Sequence, residues 1–281
     1  MVMRKTVSLA GLLFCVACGG GGGGGGNPTV DDYVMFLDPA STGTAALSSI
    51  TLSGATVASG DDDLDGSDIS VGGLSGQFNS TRDMITFTID GGSATIVGIG
   101  TTYVALVDAR PLGTDPFRAI IGVPTLSNDL PTDGSIDYAG IGSARFVIID
   151  ADEGATFALT ADTDVGIDFD NNLVTMTFDN LDGTKTVGTA AAVEIDDLGT
   201  LMIEDAVYQD GAFSGGTADF IARVYNDGGN DVSDITGRLS GSEIVTTAGA
   251  LFGPNADELA GIIYIDDTGD ALLISGIFTA D

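Results

Sequence analysis

The chain has no histidine and no tryptophan, and its only two cysteines, Cys15 and Cys18, fall within the first 18 of 281 residues. Without histidine and without a cysteine beyond residue 18, the common nucleophile–base pairs of hydrolases cannot be assembled. Zinc and iron centres built on His or Cys are excluded for the same reason. No disulfide can form within the chain beyond Cys18. No glycine pattern of the phosphate-cradling kind follows a strand and opens a helix. Two aspartates could still form the carboxylate pair of a glycosidase. Among 41 acidic residues such a pair arises by chance, and the chain reads as a non-enzyme with no cofactor.

Positive charge is almost as scarce, with nine Lys and Arg against 41 Asp and Glu. Such an acidic surface repels phosphate backbones and anionic headgroups, so nucleic acid is not a partner. Two readings of the acidity stay open: adaptation to a salty or calcium-containing medium outside the cell, and attraction to a basic partner surface. Glu, Lys and Gln are few, so composition points away from helix. Gly is abundant, at 42 residues, and hydrophobic residues make up 43% of the chain in short dispersed runs. That combination favours short strands joined by Gly, Asp and Asn turns rather than disorder.

Strand patterns follow. "MITFTID" (84–90) sets Ile85, Phe87 and Ile89 on one face, and "NLVTMTFD" (172–179) does the same with Val174, Met176 and Phe178. Further strands are expected at 144–150, 217–225, 260–266 and 271–278, with turns at Asp90-Gly91-Gly92, Asp182-Gly183, Asp210-Gly211, Asp227-Gly228-Gly229 and 268–270. The Pro-containing stretch 125–135 separates an amino-terminal part, 29–124, with fewer and looser strands, from a part, 136–281, with eight to ten. That number suits closure into a small antiparallel barrel.

The amino terminus reads as an export signal over residues 1–17: Arg4 and Lys5, then an apolar run (Thr6 to Phe14) too short to span a bilayer. A redox reading of Cys15 and Cys18 needs a thioredoxin-like context that is absent. "CVAC" instead resembles the lipobox of bacterial lipoproteins, with Ala17 before Cys18, although Cys15 stands where an aliphatic residue is usual. Lipidation of Cys18 supplies the acyl chains that stable membrane anchoring requires. Gly19 at the next position, where Asp marks inner-membrane retention, favours the outer membrane by the same resemblance. The eight glycines Gly19–Gly26, within a linker over 18–28, then give a flexible tether of roughly 15 Å mean reach.

One metal pattern is present. Asp61, Asp63 and Asp65 precede Gly66 like the first half of an EF-hand loop, but Gly72 occupies the position of the bidentate Glu. An acidic surface loop explains the same residues. The pairs Asp162/Asp164 and Asp168/Asp170 are weaker versions.

"GALFGPNADELAGII" (249–263) resembles the signature of the transferrin-binding protein B family of surface lipoproteins. Gly249, Gly253, Pro254, Ala256, Glu258 and Gly261 match; Leu251, Phe252 and Ala260 stand for Phe, Tyr and Gly. Residues alone say that a strand ends at Phe252, Gly253-Pro254 breaks it, and a new strand starts near Leu259. The matching residues read as fold-specifying. "YAGIGSARFVIID" (138–150), "VGIDFDNNLVTMTF" (165–178) and "SGIF" (275–278) look like the family's first hairpins and closing strand, and 76–89 resembles its handle domain.

The resemblance implies an all-β chain: a smaller handle-like β domain, then an eight-stranded antiparallel barrel, as one lobe of a family whose full members carry two. It further implies a monomeric lipoprotein on the cell surface or the periplasmic face of the outer membrane. Its loops would bind an extracellular protein or solute linked to iron acquisition. A structural or adhesive protein with calcium-bridged Asp-rich loops is the other class of function that fits the sequence.

Overall fold

The structure is a computed structural model. It describes residues 103–110, 117–122, 124–222, 226–227, 230–231, 239, 243–267 and 272–281, with six further amino-terminal strands. Those six are β1 (Val34–Leu37), β2 (Ile50–Ser53), β3 (Asp68–Val71), β4 (Leu74–Gln77), β5 (Ile85–Ile89) and β6 (Gly92–Val97). With β7 (Val104–Arg110) and β8 (Phe117–Gly122) they form a five-stranded sheet in the order β1-β8-β7-β6-β5 and a three-stranded sheet β2-β3-β4. Among the described residues the amino-terminal part has eight strands, several of them only four residues long.

The barrel follows. Its strands are β9 (Ser135–Asp150), β10 (Ala155–Asp168), β11 (Leu173–Val187), β12 (Val193–Ile195), β13 (Gly199–Gln209), β14 (Ala212–Ser214), β15 (Thr217–Ala222), β18 (Ile244–Phe252), β19 (Glu258–Asp267) and β20 (Leu272–Ala280). A short hairpin, β16 (Asn226–Asp227) and β17 (Asn230–Asp231), lies between β15 and β18. Neighbours β11-β10-β9-β20-β19-β18-β14-β13 pair antiparallel, and β13 pairs back onto β11, so eight strands close a ring. Strands β12 and β15 are additions: β12 lines the end of β11, and β15 continues from β14 along β13. Closure pairs each of the eight ring strands on both sides, and β12 and β15 end the sheet with one paired neighbour each.

Alternation drives this outcome. In β10 every second residue from Ala155 to Ala161 is buried and its neighbours face outward. Asp210-Gly211 makes the expected two-residue hairpin between β13 and β14, with both φ angles positive at 51° and 83°. Asp182-Gly183 does not make a turn. Strand β11 runs through it, and the pairing with β10 shifts register between Thr160 and Asp162, where Asn180 has φ 53°. The pair sits at a bulge, which bends the wall instead of reversing it.

Strands β18–β20 are buried on both faces. Leu251, Leu259, Ile263, Ile265, Ile274 and Phe278 point into the barrel. Ala248, Ala250, Phe252, Ala260, Ile262 and Ile277 point outward into a second core with Val104 of β7 and Ile120 of β8. This wall reads as a nearly continuous apolar run because both of its faces lie against protein.

Candidate ligand-binding surface

The signature segment sits where the two cores meet. Gly253 has φ 75°, and a Cβ there would collide with the ring of Tyr103, so the chain must be glycine on both counts. Pro254–Ala256 forms a single 3-10 turn, and β19 starts at Glu258. Glu258 is buried, and its carboxylate accepts a hydrogen bond from the Tyr103 amide at 2.8 Å. Thr125 donates from its amide to Leu251 O (3.0 Å) and from Oγ1 to Gly253 O (2.8 Å), and Pro124 bridges to Phe252. These contacts tie the barrel to the strands before it.

Gly249 and Gly261 act inside the barrel. Phe213 of β14 lies directly over Gly249 of β18, and Phe278 of β20 lies over Gly261 of β19. Phe146 of β9 lies over Gly276 of β20 in the same way. Each ring fills the space that its cross-strand partner leaves empty. The rings then meet edge to face, Phe146–Phe178 and Phe178–Phe278 both at 5.1 Å between centroids, with Phe213 6.3 Å from Phe278. The middle of the barrel is therefore filled by phenyl rings. Gly276 plays the same part as Gly261, and its only sequence signal is Gly-Ile-Phe in an alternating strand.

One mouth of the barrel is closed. Residues 125–134, in the stretch with little hydrophobic pattern, cross it: Leu130 packs on the core and covers Gly211, and Gly134 O accepts from the Phe169 amide at 2.9 Å. Beneath lie Phe169 and Tyr208, edge to face at 5.1 Å, and Tyr138, whose hydroxyl donates to Ala256 O at 2.8 Å. Burial, the neighbouring Tyr208 and Asp257 push the Tyr138 phenol well above its usual range. Burial also raises Tyr208, against the opposing effect of the Gly211 amide.

The opposite mouth carries the β9–β10 turn and residues 188–192 and 196–198. The β9–β10 turn is set by Asp150, fully buried, whose Oδ1 accepts from the amides of Asp152 (3.0 Å) and Glu153 (3.1 Å). Lys185 pairs with Glu153 at 3.2 Å and lies 5.3 Å above the Phe157 ring. Leu239, between β17 and β18, packs on the barrel core. Among the described residues, with one mouth covered and the β18–β20 wall occupied, two surfaces stay uncovered: this mouth and the outer wall of β9, β10, β11 and β13.

Cys18, the glycine run and Asp61, Asp63 and Asp65 lie outside the described residues. Asp162 and Asp164 do not converge on a common point. Asp162 is held by the Gly142 amide (2.6 Å) and Asn180 Nδ2 (2.7 Å), and Asp164 faces outward one strand position away. Asp168 caps its own turn through the amide and side chain of Asn171, bonds that hold its carboxyl below the usual range. Among the described residues no cluster of three His, Cys, Asp or Glu could hold a metal ion.

No family model matches the sequence, and no curated protein does. Solved structures do. Transferrin-binding protein B of Haemophilus parasuis Hp5, a point mutant, superposes on 77% of this chain with TM-score 0.54 at 16% identity, using 40% of its own length. The chain has a transferrin-binding protein B-like fold. Intact Ap-TbpB, with N and C lobes, covers 79% of the chain at TM-score 0.51 and 16% identity. The isotype 1 protein of serogroup B Neisseria meningitidis covers 83% at TM-score 0.50 and 17% identity. Each of these two uses 43% of its own length, so the chain spans about two fifths of these three transferrin-binding protein B structures.

Proposed function

We propose that the protein is an outer-membrane lipoprotein that captures an extracellular ligand, a protein or a solute, and serves iron acquisition. The observation that carries this reading is the superposition on three transferrin-binding protein B structures over at least 77% of the chain. In this reading Cys18 is acylated after removal of residues 1–17, and Gly19–Gly26 let the folded part swivel above the headgroups. Residues 29–124 are the handle, 125–135 joins it to the barrel over 136–281, and the protein works as a monomer. Loops of the barrel's open mouth and of the handle make the contacts. The packed interior leaves binding to the outside of the barrel.

Binding is tested with the full chain immobilised by its amino terminus and exposed to host serum and to spent growth medium. Wild type retains a specific protein or solute, and a variant with 188–192 shortened retains less. A surface that retains nothing from either source overturns the reading. Anchoring is tested separately. Wild type takes up radiolabelled palmitate and fractionates with outer membranes, whereas Cys18→Ser does neither. Expression that does not respond to iron removes the iron role and leaves the binding role standing.

A further inference from the structure

Among the described residues the most exposed large apolar side chain lies on the outer wall. Between Gly140, opposite Thr163, and Ala144, opposite Ala161, strand β9 carries two more residues than β10, and the excess forms a bulge. Ile141 stands at its crest with 94% of its surface exposed.

The bulge is held firmly from below. Gly142, at φ 58°, donates its amide to Asp162 Oδ1 at 2.6 Å, and Asp162 is held in turn by Asn180. Arg145 Nη1 donates to the carbonyls of Gly142 (2.7 Å) and Ala144 (3.0 Å). Ser143 Oγ donates to Gly140 O and lies 2.9 Å from Thr163 Oγ1, with both residues buried. Among the described side chains Arg145 and Lys185 are the only cations. In so acidic a chain, Arg145 is spent on two bulge carbonyls.

A bulge at a barrel bend needs a glycine and its hydrogen bonds, and it does not need isoleucine at the crest. A single exposed aliphatic residue is ordinary on a protein surface. What sets this one apart is the rigid mounting and the charge around it. Asp162 is beneath it, and Asp164 faces outward opposite Ala139. Asp137 lies with its carboxylate by Gly166, and Asp281 pairs through its backbone with Ala139. Preorganised apolar anchors in a charged rim are how protein interfaces concentrate binding energy.

We infer that Ile141 is the apolar anchor of a protein-docking surface on the outer wall, and that its partner offers an apolar pocket rimmed by Lys or Arg. The inference deepens the proposed binding role and adds a second contact surface away from the open mouth. Burying the isoleucine supplies about tenfold or more in affinity, and the carboxylate rim makes association faster and sensitive to salt.

The test places a photo-crosslinking amino acid at position 141 of the full chain, and separately at Val207, exposed on β13 of the same wall. Serum and spent growth medium are the probes. The expected result is one discrete adduct from position 141 and none from 207. Wild-type chain should suppress that adduct about ten times more effectively than Ile141→Asp, and the adduct should fade as salt rises. Ile141 supports nothing in the fold, so Ile141→Asp should melt with wild type. Equal suppression by both competitors, an equal adduct from 207, or an acidic partner overturns the inference. Capture by wild type with no adduct from 141 also overturns it and leaves the binding role intact, whereas no capture at all overturns both.

Discussion

Gly261→Ala tests the way the barrel is filled. A Cβ at this position meets Phe278 Cζ at 2.7 Å and the Ala248 carbonyl oxygen at 3.0 Å, where ordinary contact begins near 3.5 Å. The ring cannot simply retreat. It is fully buried, lies edge-on to Phe178 at 5.1 Å, and has Phe213 on another side. Overpacking of this kind costs about 1–3 kcal/mol, and a disturbed ring pair adds roughly 0.5–1.5 kcal/mol. Against this, alanine removes the excess conformational freedom of glycine in a strand, a gain of about 0.5–1 kcal/mol. Destabilisation wins by about 2 kcal/mol, which for a barrel of this size lowers the Tm by roughly 4–8 °C. Thermal melting by circular dichroism reads this directly. Phe278→Leu, made alone and together with Gly261→Ala, completes a double-mutant cycle, and the second change should recover part of the loss. A Gly261→Ala protein as stable as wild type, or strictly additive changes, would falsify the ring-over-glycine account.

Other expectations follow from the same contacts. Glu258→Ala strands the Tyr103 amide at a buried junction and should cost about 1–3 kcal/mol, read as earlier unfolding in urea and faster proteolysis between residues 103 and 125. Tyr138→Phe removes the donor to the Ala256 carbonyl and should cost about 1 kcal/mol by the same melt. In wild type, absorbance titration should show Tyr138 and Tyr208 resisting ionisation beyond pH 10 until the fold gives way in alkali. Asp168 has a folded pKa below its ordinary 3.8, so its contribution is complete above that value and disappears as pH falls through the lower folded value. The stability gap between wild type and Asp168→Ala should therefore be constant from pH 7 to 5 and shrink below pH 4. A gap that grows in acid contradicts the sign.

The barrel was legible because its strands alternate and its hairpins carry Asp-Gly or Gly-rich pairs, as at Asp210-Gly211. Asp182-Gly183 misled for a physical reason: the same dipeptide serves a two-residue turn and a strand bulge, and only the long-range register with β10 distinguishes them. The signature residues stood out as a motif, yet the roles of Gly253 and Glu258 depend on Tyr103, about 150 positions away in the chain, and no local pattern announces that contact. Leu130 was hidden in a Pro-flanked stretch with little periodicity. Ile141 was least visible of all. In the sequence it is one aliphatic residue within an alternating run, and only the two-residue excess of β9 over β10 turns it outward.

The ring is closed on one side by pairing β9 with β20, and residues 151–271 lie between them. The first barrel strand must therefore wait for Leu272–Phe278 before its free side is covered. Contacts that distant make folding slow, and until they form, β9 and β19 each show an unpaired edge rich in apolar residues. A chain emerging amino terminus first can build its hairpins as it appears, but it cannot seal the barrel until Leu272–Ala280 has arrived. Completion is thus coupled to delivery of β20, and a chaperone that guards open strand edges would act on this molecule in that interval.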